Sequence, residues 1–371
     1  MIQYPKTYAI PLSLRHKDWL IAKAHEAMTA ALPHITDVHA PQSQGGIHDY
    51  YSNGDYWWPD PATPDGLPYI RRDGETNPDN FDLHRQILRA MGTYVVHLAC
   101  GWLLTGRQDF AGQAVRLLKE FFLDEETRMN PSLDFAQAIP GVCPGRGIGI
   151  IDTIHLADIP FAITALESSN AMTAQIKSGL TDWFSQYLTW LFSSPNGIAE
   201  KNTTNNHCIC FYMQSAAFAL FTHEESILRL CRQEFKTSLL GQMNPDGSFP
   251  QELARTKPYN YSIFAADNLV SLCHMLSTPE DDLWGYETEK GQGIRQAVRF
   301  LTPYLLDKSS WPYKPDIMHF DAFPARISFM AFAGCRYGIP ELVELYDRLP
   351  PESPNEEARR NAAVREPMLW M

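Results

Sequence analysis

The sequence predicts an all-α fold built from antiparallel helical hairpins. Three observations lead there. Stretches with an apolar face at helical spacing recur along the chain, the loops between them are rich in Gly, Pro and Asn, and no period-two run of comparable weight occurs. Some stretches, such as CICFYMQSAAFALF at 208–221, are apolar nearly all round, and such a helix must be covered on both sides. An inner ring of helices within an outer ring meets that need. A helical toroid of this kind leaves its loops at one mouth, where long polar loops would supply a cleft.

The first helix is expected over 16–32, where Trp19, Leu20, Ala24, Met28 and Leu32 fall at helical spacing before Pro33. A long non-helical segment, about 33–80, follows and is dense in Gly, Pro, Asp and Asn. Residues 82–106 read as one long helix stopping at Gly106, with 107–124 as its partner. Further helices are expected over 151–167, 173–192, 206–221, 225–240, 261–276, 291–306 and 322–337. No fixed-period repeat and no dividing linker is visible, so 1–371 reads as a single domain.

Composition narrows the function. Hydrophobic residues at 44% and charged residues at 20% fit a globular chain and exclude a disordered or fibrous one. A formal net charge of -12 argues against nucleic acid as a partner, since phosphate contacts need clustered Lys and Arg. An anionic ligand is still compatible with an acidic chain if basic residues line one cleft. Aromatic residues reach 12%, which suits either sugar stacking or a large helical core. The seven cysteines sit mostly in apolar stretches and form no CxxC pairs with metal-site spacing, so no metal and no cofactor is expected, and the thiols fit a reducing compartment. The N-terminal MIQYPKTYAIPLSLRHKDWL lacks a basic start followed by an apolar run. As written the chain is expected in the cytoplasm, or in the periplasm or outside the cell if a signal had been removed. No run approaches ~18 consecutive apolar residues, so no membrane partner is expected. The sequence assigns no oligomeric state.

Three loop segments carry candidate chemistry. HDYYSNGDYWWPDPATPDGLPYIRRDGETNPD, from 48 to 79, holds Tyr56, Trp57, Trp58, Arg71 and Arg72. It reads either as a lid whose rings stack on sugars and whose arginines meet carboxylates, or as a loop pinned by its aromatics. GIAEKNTTNNHCIC places Lys201, Asn205, Asn206 and His207 at the start of an apolar helix. One amide serves as a cap, but a cap does not account for the whole group. Amides and an imidazole at a helix N-terminus would receive a carboxylate, although a lone His on such a helix is more often structural. NPDGSFPQELARTKPYNYSIFAADNL, from 244 to 269, sets Arg255, Lys257, Tyr259 and Tyr261 before another helix. A phenol beside a guanidinium is suited to proton transfer, since the cation favours its ionised form, and the plainer reading is a surface Arg with two packing tyrosines.

Together, NNH at a helix start, the Arg-to-Tyr segment ending in YNYS, and YWWPDPATPDGLPYIRRDG resemble the alginate lyase superfamily of polysaccharide lyases. The likeness covers about 48–336 and is closer to polysaccharide lyase family 38, the glucuronan and alginate lyases, than to family 5. NPSLDFAQAIPGVCPGRGIGIID, from 130 to 152, also resembles that group and so adds Gln137 and Arg146 to the expected cleft. The resemblance implies an (α/α) toroid of six or seven hairpins and β-elimination on a β-1,4-linked polyuronate, polymeric or oligomeric. It also implies that Asn206 and His207 are the Asn–His pair, Tyr261 the catalytic tyrosine and Arg255 the arginine before it, with Lys257 as the substitute at that position. The Arg-to-Tyr spacing is one residue shorter than in family 5. In this scheme Asn206, Arg255 and His207 neutralise the uronate carboxylate, and Tyr261 acts as base and acid in turn, or donates the proton while His207 takes H5. Two rivals stand beside it: a glycoside hydrolase on the same scaffold, with Asp152, Asp158, Glu252 and Asp267 as candidate carboxylates, and a non-catalytic carbohydrate-binding protein.

Overall fold

A computed structural model of the chain describes residues 16–371; most of the N-terminal segment used above to judge export lies outside them. The described chain is predominantly helical and forms two compact units, Asp18–Asn202 and Thr203–Met371, the latter joined by His16 and Lys17. The all-α class expected from the periodicity is the class observed.

In the first unit α1 spans Lys17–Thr29, α2 spans Leu83–Thr105 and α3 spans Gln108–Phe122. The turn at Gly106, whose N–H bonds to Trp102 O, folds α3 back along α2, so the pair is the antiparallel hairpin predicted. Leu88, Met91, Val95 and Leu98 of α2 and Phe110, Ala114, Leu118 and Phe122 of α3 are buried. Each such large side chain contributes about 1.5–3 kcal/mol by leaving water. Downstream, α4 covers Ile159–Leu166, α5 covers Ala174–Ser193 and α6 covers Pro195–Lys201. Thr173 caps α5 by accepting from Ile176 N, and Ser194 caps α6. Four short strands brace the long loop. β1 (Tyr51–Asn53) pairs in parallel with β4 (Phe135–Ala138), and β2 (Trp57–Trp58) pairs antiparallel with β3 (Ile70–Arg71), Trp57 opposite Arg71.

In the second unit α7 (Asn206–Thr222) is buried on every side, as its composition requires, and packs on α10 (Pro258–Leu276). Between them lie α8 (Glu225–Glu234) and the single-turn α9 (Pro250–Leu253). After α10 come α11 (Ile294–Leu306), α12 (Ser328–Tyr337), α13 (Pro340–Arg348) and α14 (Glu356–Asn361). The start of α10 is held from outside the helix, where Asp316 accepts the N–H groups of Tyr259 at 2.8 Å and Asn260 at 3.0 Å. These are two of the first-turn donors that a helix cannot satisfy by itself.

Several elements differ from the sequence reading. The first part of the 151–167 helix is a 3-10 segment, Gly147–Asp158, that leads into α4. The 225–240 helix stops at Glu234 and continues as a π-helical turn, Phe235–Leu239. Helix α10 begins at Pro258 rather than 261, because proline is well suited to the first helical position, where no N–H bond is lost. Two segments, Leu83–Thr105 and Gly147–Leu166, are long and apolar enough to cross a membrane, and most of each is buried within the fold, as core helices are.

His274 on α10 stacks on Phe332 at 4.1 Å and donates Nε2–H to Trp370 O at 2.9 Å. Burial pulls its pKa down to about 4, partly offset by that carbonyl. The folded protein therefore holds the imidazole neutral while the unfolded chain protonates it below its ordinary value near ~6.5. The stability it contributes is complete above that value and is lost as pH falls toward about 4. The stability advantage of wild type over His274→Gln, from urea unfolding, is expected to shrink by on the order of 2 kcal/mol across that window. Parallel pH profiles for the two proteins would remove His274 as the cause.

Candidate active site

In the second unit the amide cluster separates into two jobs. Asn205 is the N-cap of α7, its Oδ1 accepting His207 N at 3.2 Å. Asn206 is buried and gripped by Glu252, whose Oε1 accepts its backbone N–H at 2.8 Å and whose Oε2 accepts its Nδ2 at 2.6 Å. Glu252 reaches it from α9, a turn opened by Pro250 in the segment after Phe249. Burial raises the Glu252 carboxyl above its ordinary value, against the pull of the Asn206 bonds and the Arg255 and His207 charges. His207 follows directly on α7 and is half-buried.

Arg255 lies three residues past Glu252, bonded through its N–H to Glu252 O. Its guanidinium sits over the Tyr261 ring at 4.5 Å and donates to the Tyr261 hydroxyl at 3.4 Å. Tyr261 is half-buried in the first turn of α10, its N–H bonded to Lys257 O. The pairing of phenol and guanidinium read from the sequence is thus present, with Arg255 rather than Lys257 as the cation.

Two residues expected to touch substrate are structural instead. Lys257 is fully buried, its Nζ 2.9 Å from Glu357 Oε1, and a buried cation needs such a partner. Tyr259 is also fully buried, donates its hydroxyl to Tyr304 O at 2.8 Å and packs edge-on against Trp311. Tyr259 stands two residues before Tyr261 on α10, and residues two apart on a helix point to different faces.

In the first unit the aromatic loop is pinned to itself. Trp58 donates Nε1–H to Glu75 O at 3.0 Å, and Arg72 stacks over its ring at 4.8 Å. Arg72 N bonds to Tyr56 O, and Asn77 Nδ2 holds Trp57 O. Tyr56, Trp57 and Trp58 are half-buried and both arginines are exposed, so indole faces and cations remain at the surface. Arg71 is ion-paired with Asp73 at 2.6 Å, an exposed pair of small energetic weight. Lys201 closes α6 with its ammonium 5.8 Å from the Phe192 ring.

Gln137 and Arg146 are joined more tightly. Arg146 donates Nε–H to Gln137 O and Nη2–H to Gln137 Oε1, both at 3.0 Å, and lies 5.8 Å from the Trp57 ring. Its backbone N–H bonds to Ala136 O. That approach requires bare α-carbons: a Cβ on Gly145 would fall 2.0 Å from Asp134 O, and one on Gly149 2.4 Å from Ala136 Cβ. Burial holds the Arg146 guanidinium below the ordinary arginine value, so an anion brought to it would be favoured.

An all-α scaffold whose second unit sets a guanidinium against a phenol is compatible with a polysaccharide lyase, an enzyme that splits acidic polymers at a glycosidic oxygen. The alginate lyase family model matches residues 34–311, and the chain belongs to that family. Among solved structures it is similar to an alginate lyase from Bacteroides ovatus, at 31% identity over 99% of this chain and 98% of that one, with a TM-score of 0.84. It is similar in fold to alginate lyase A1-III from Sphingomonas species A1, at 15% identity over 87% and 88% of the two chains, TM-score 0.59. A His-to-Ala variant of alginate lyase A1-III complexed with a tetrasaccharide gives the same values. No curated protein sequence matches the chain.

The sequence reading missed the grip of Glu252 on Asn206. It named Glu252 only as a candidate hydrolase carboxylate, and the two residues are 46 positions apart.

Proposed function

We propose that the chain cleaves β-1,4-linked polyuronates in which H5 and O4 lie on the same sugar face, the mannuronate blocks of alginate and glucuronan, by β-elimination. The observation that carries this reading is the Arg255–Tyr261 pair, a guanidinium donating to a phenolic oxygen and so stabilising negative charge there. A uronate C5–H is a weak acid while its carboxylate is charged. Asn206, held by Glu252, together with His207 and Arg255 neutralises that carboxylate and stabilises the enolate-like transition state. Tyr261 then removes H5 and returns the proton to O4, or His207 takes H5 while Tyr261 protonates the leaving oxygen. The C4–O4 bond breaks and a 4,5-double bond forms at the new non-reducing end. Trp57, Trp58, Arg72 and Arg146 are proposed to hold the flanking sugars by stacking and charge, with Tyr56, Arg71, Gln137, Lys201 and Asn205 contributing to the same binding. The chain is proposed to act as one lyase domain, a reading supported by a family match that takes in residues of both units.

The hydrolase alternative has little support. Asp152, Glu252 and Asp267 are each buried and bonded to structural partners, and Asp158 is fully buried. The test is a panel of polymannuronate, glucuronan, polyguluronate and hyaluronan followed by the ultraviolet absorbance of unsaturated ends. Polymannuronate or glucuronan should give the signal. Polyguluronate, whose C5 configuration puts H5 on the opposite face, should give little. New reducing ends without ultraviolet absorbance would mean hydrolysis and would overturn the reading.

A further inference from the structure

Arg146 is oriented by a buried chain of hydrogen bonds that ends on a carboxylate. Asp152 is buried, and its Oδ2 accepts from Ser52 Oγ at 2.6 Å, Arg85 Nη2 at 3.1 Å and Tyr50 OH at 3.2 Å. Its Oδ1 accepts from Gln137 Nε2 at 3.1 Å. Burial, then the Asp152 charge, pushes the Tyr50 phenol well above its ordinary value, so it stays a hydroxyl donor. Arg85 is itself fixed by Asp55 and by Asn53 O.

The Gln137 amide therefore has one allowed orientation. Asp152 offers only acceptors and Arg146 only donors, so Nε2 must face the carboxylate and Oε1 the guanidinium. The backbone agrees with that purpose. Gln137 sits at φ 48, a left-handed conformation that is strained for a non-glycine residue, and its N–H is tied to Ser52 Oγ at 2.9 Å. Ser52 thus bonds both to the strained backbone and to the carboxylate. Among the described residues Arg146 Nη1 has no hydrogen-bond partner, while Nε and Nη2 are committed to Gln137. Asp152 is the only carboxylate bonded to Gln137 among the described residues.

We propose that Asp152 is a positioning residue, acting through the Gln137 amide to fix the Arg146 guanidinium in the orientation that receives a substrate carboxylate. This rests on the reading of Arg146 as a substrate-binding residue. The proposal makes a specific demand of Asp152→Asn. The Asn oxygen must face Arg85, which only donates, so its NH₂ faces Gln137. The Gln137 amide then reverses and turns its own NH₂ toward Arg146, replacing an acceptor with a donor.

The test measures KM and kcat on polymannuronate for Arg146→Ala, Asp152→Asn and the double variant, with folding checked by circular dichroism. Each single variant should raise KM about tenfold, with kcat changed little, as expected for loss of one charge-assisted hydrogen bond. The double variant should be no worse than Arg146→Ala alone. An unchanged KM in Arg146→Ala would overturn the reading of Arg146. A raised KM there with an unchanged KM in Asp152→Asn would overturn the positioning role and leave the first reading intact. Additive effects in the double variant, or a fall in kcat alone, would mean a merely structural Asp152. If Asp152→Asn fails to fold, Gln137→Met, which leaves Asp152 with Tyr50, Ser52 and Arg85, carries the same comparison. It should raise KM without adding to Arg146→Ala, and additivity there would overturn the proposal.

Discussion

Tyr261→Phe is expected to reduce kcat by about 10²–10⁴-fold, the range over which a positioned acid–base group accelerates proton transfer, with KM nearly unchanged. The replacement is well controlled because the ring remains. Arg255 keeps its place 4.5 Å above that ring, so the cation–π contact persists and only the hydroxyl it donates to is lost. Stability should therefore match wild type within the scatter of surface substitutions, roughly ±0.5 kcal/mol. Steady-state kinetics on polymannuronate with a parallel thermal melt decides it. Full turnover in a folded Tyr261→Phe enzyme would remove the proton-transfer role, and it would also be the result expected of a binding protein contaminated by another lyase.

Asn206→Ala should be the next most damaging change, with kcat down by about 10²–10³-fold as one donor to the developing charge disappears. It differs from the tyrosine change in also costing stability. Glu252 accepts both Asn206 N and Nδ2, and without the side-chain donor a buried carboxylate is left short of a partner, at a cost of about 1–3 kcal/mol. The Glu252 carboxyl already lies above its ordinary value because of burial, and the Asn206 bonds pull against that rise, so their loss raises it further. An acid whose folded value is raised contributes stability at low pH that is lost as pH climbs through that value. The deficit of Asn206→Ala relative to wild type should therefore grow from acidic to neutral pH. Urea unfolding at several pH values measures this, and a constant deficit would mean that Glu252 does not respond to Asn206.

How much of this was legible before the structure depends on the range of each interaction. The α2–α3 hairpin and the all-round apolar α7 were readable because helical periodicity and the stop at Gly106 are local signals. That Asn205 or Asn206 caps α7 was readable for the same reason, and the structure picks Asn205. Lys257 and Tyr259 misled because their sequence neighbours are chemically active while their own side chains face Glu357 and Tyr304, about 45 to 100 positions away. Pro258 was the available clue that α10 starts early. The 3-10 segment Gly147–Asp158 has the apolar content of an α-helix and no local mark that its hydrogen bonds would shorten. The Asp152 network joins residues 15 to 102 positions apart, and no local pattern encodes it.

The glycines beside Arg146 have one more consequence. With hydrogen as the only substituent at Gly145 and Gly149, the chain packs directly on the backbone of Asp134 and Phe135 and on Ala136, and the arginine's location is set largely by peptide units. Drift in the surrounding core, through substitution or through thermal loosening, therefore has little leverage on where that charge stands. The hydrophobic interior can vary while the Arg146 charge keeps its place.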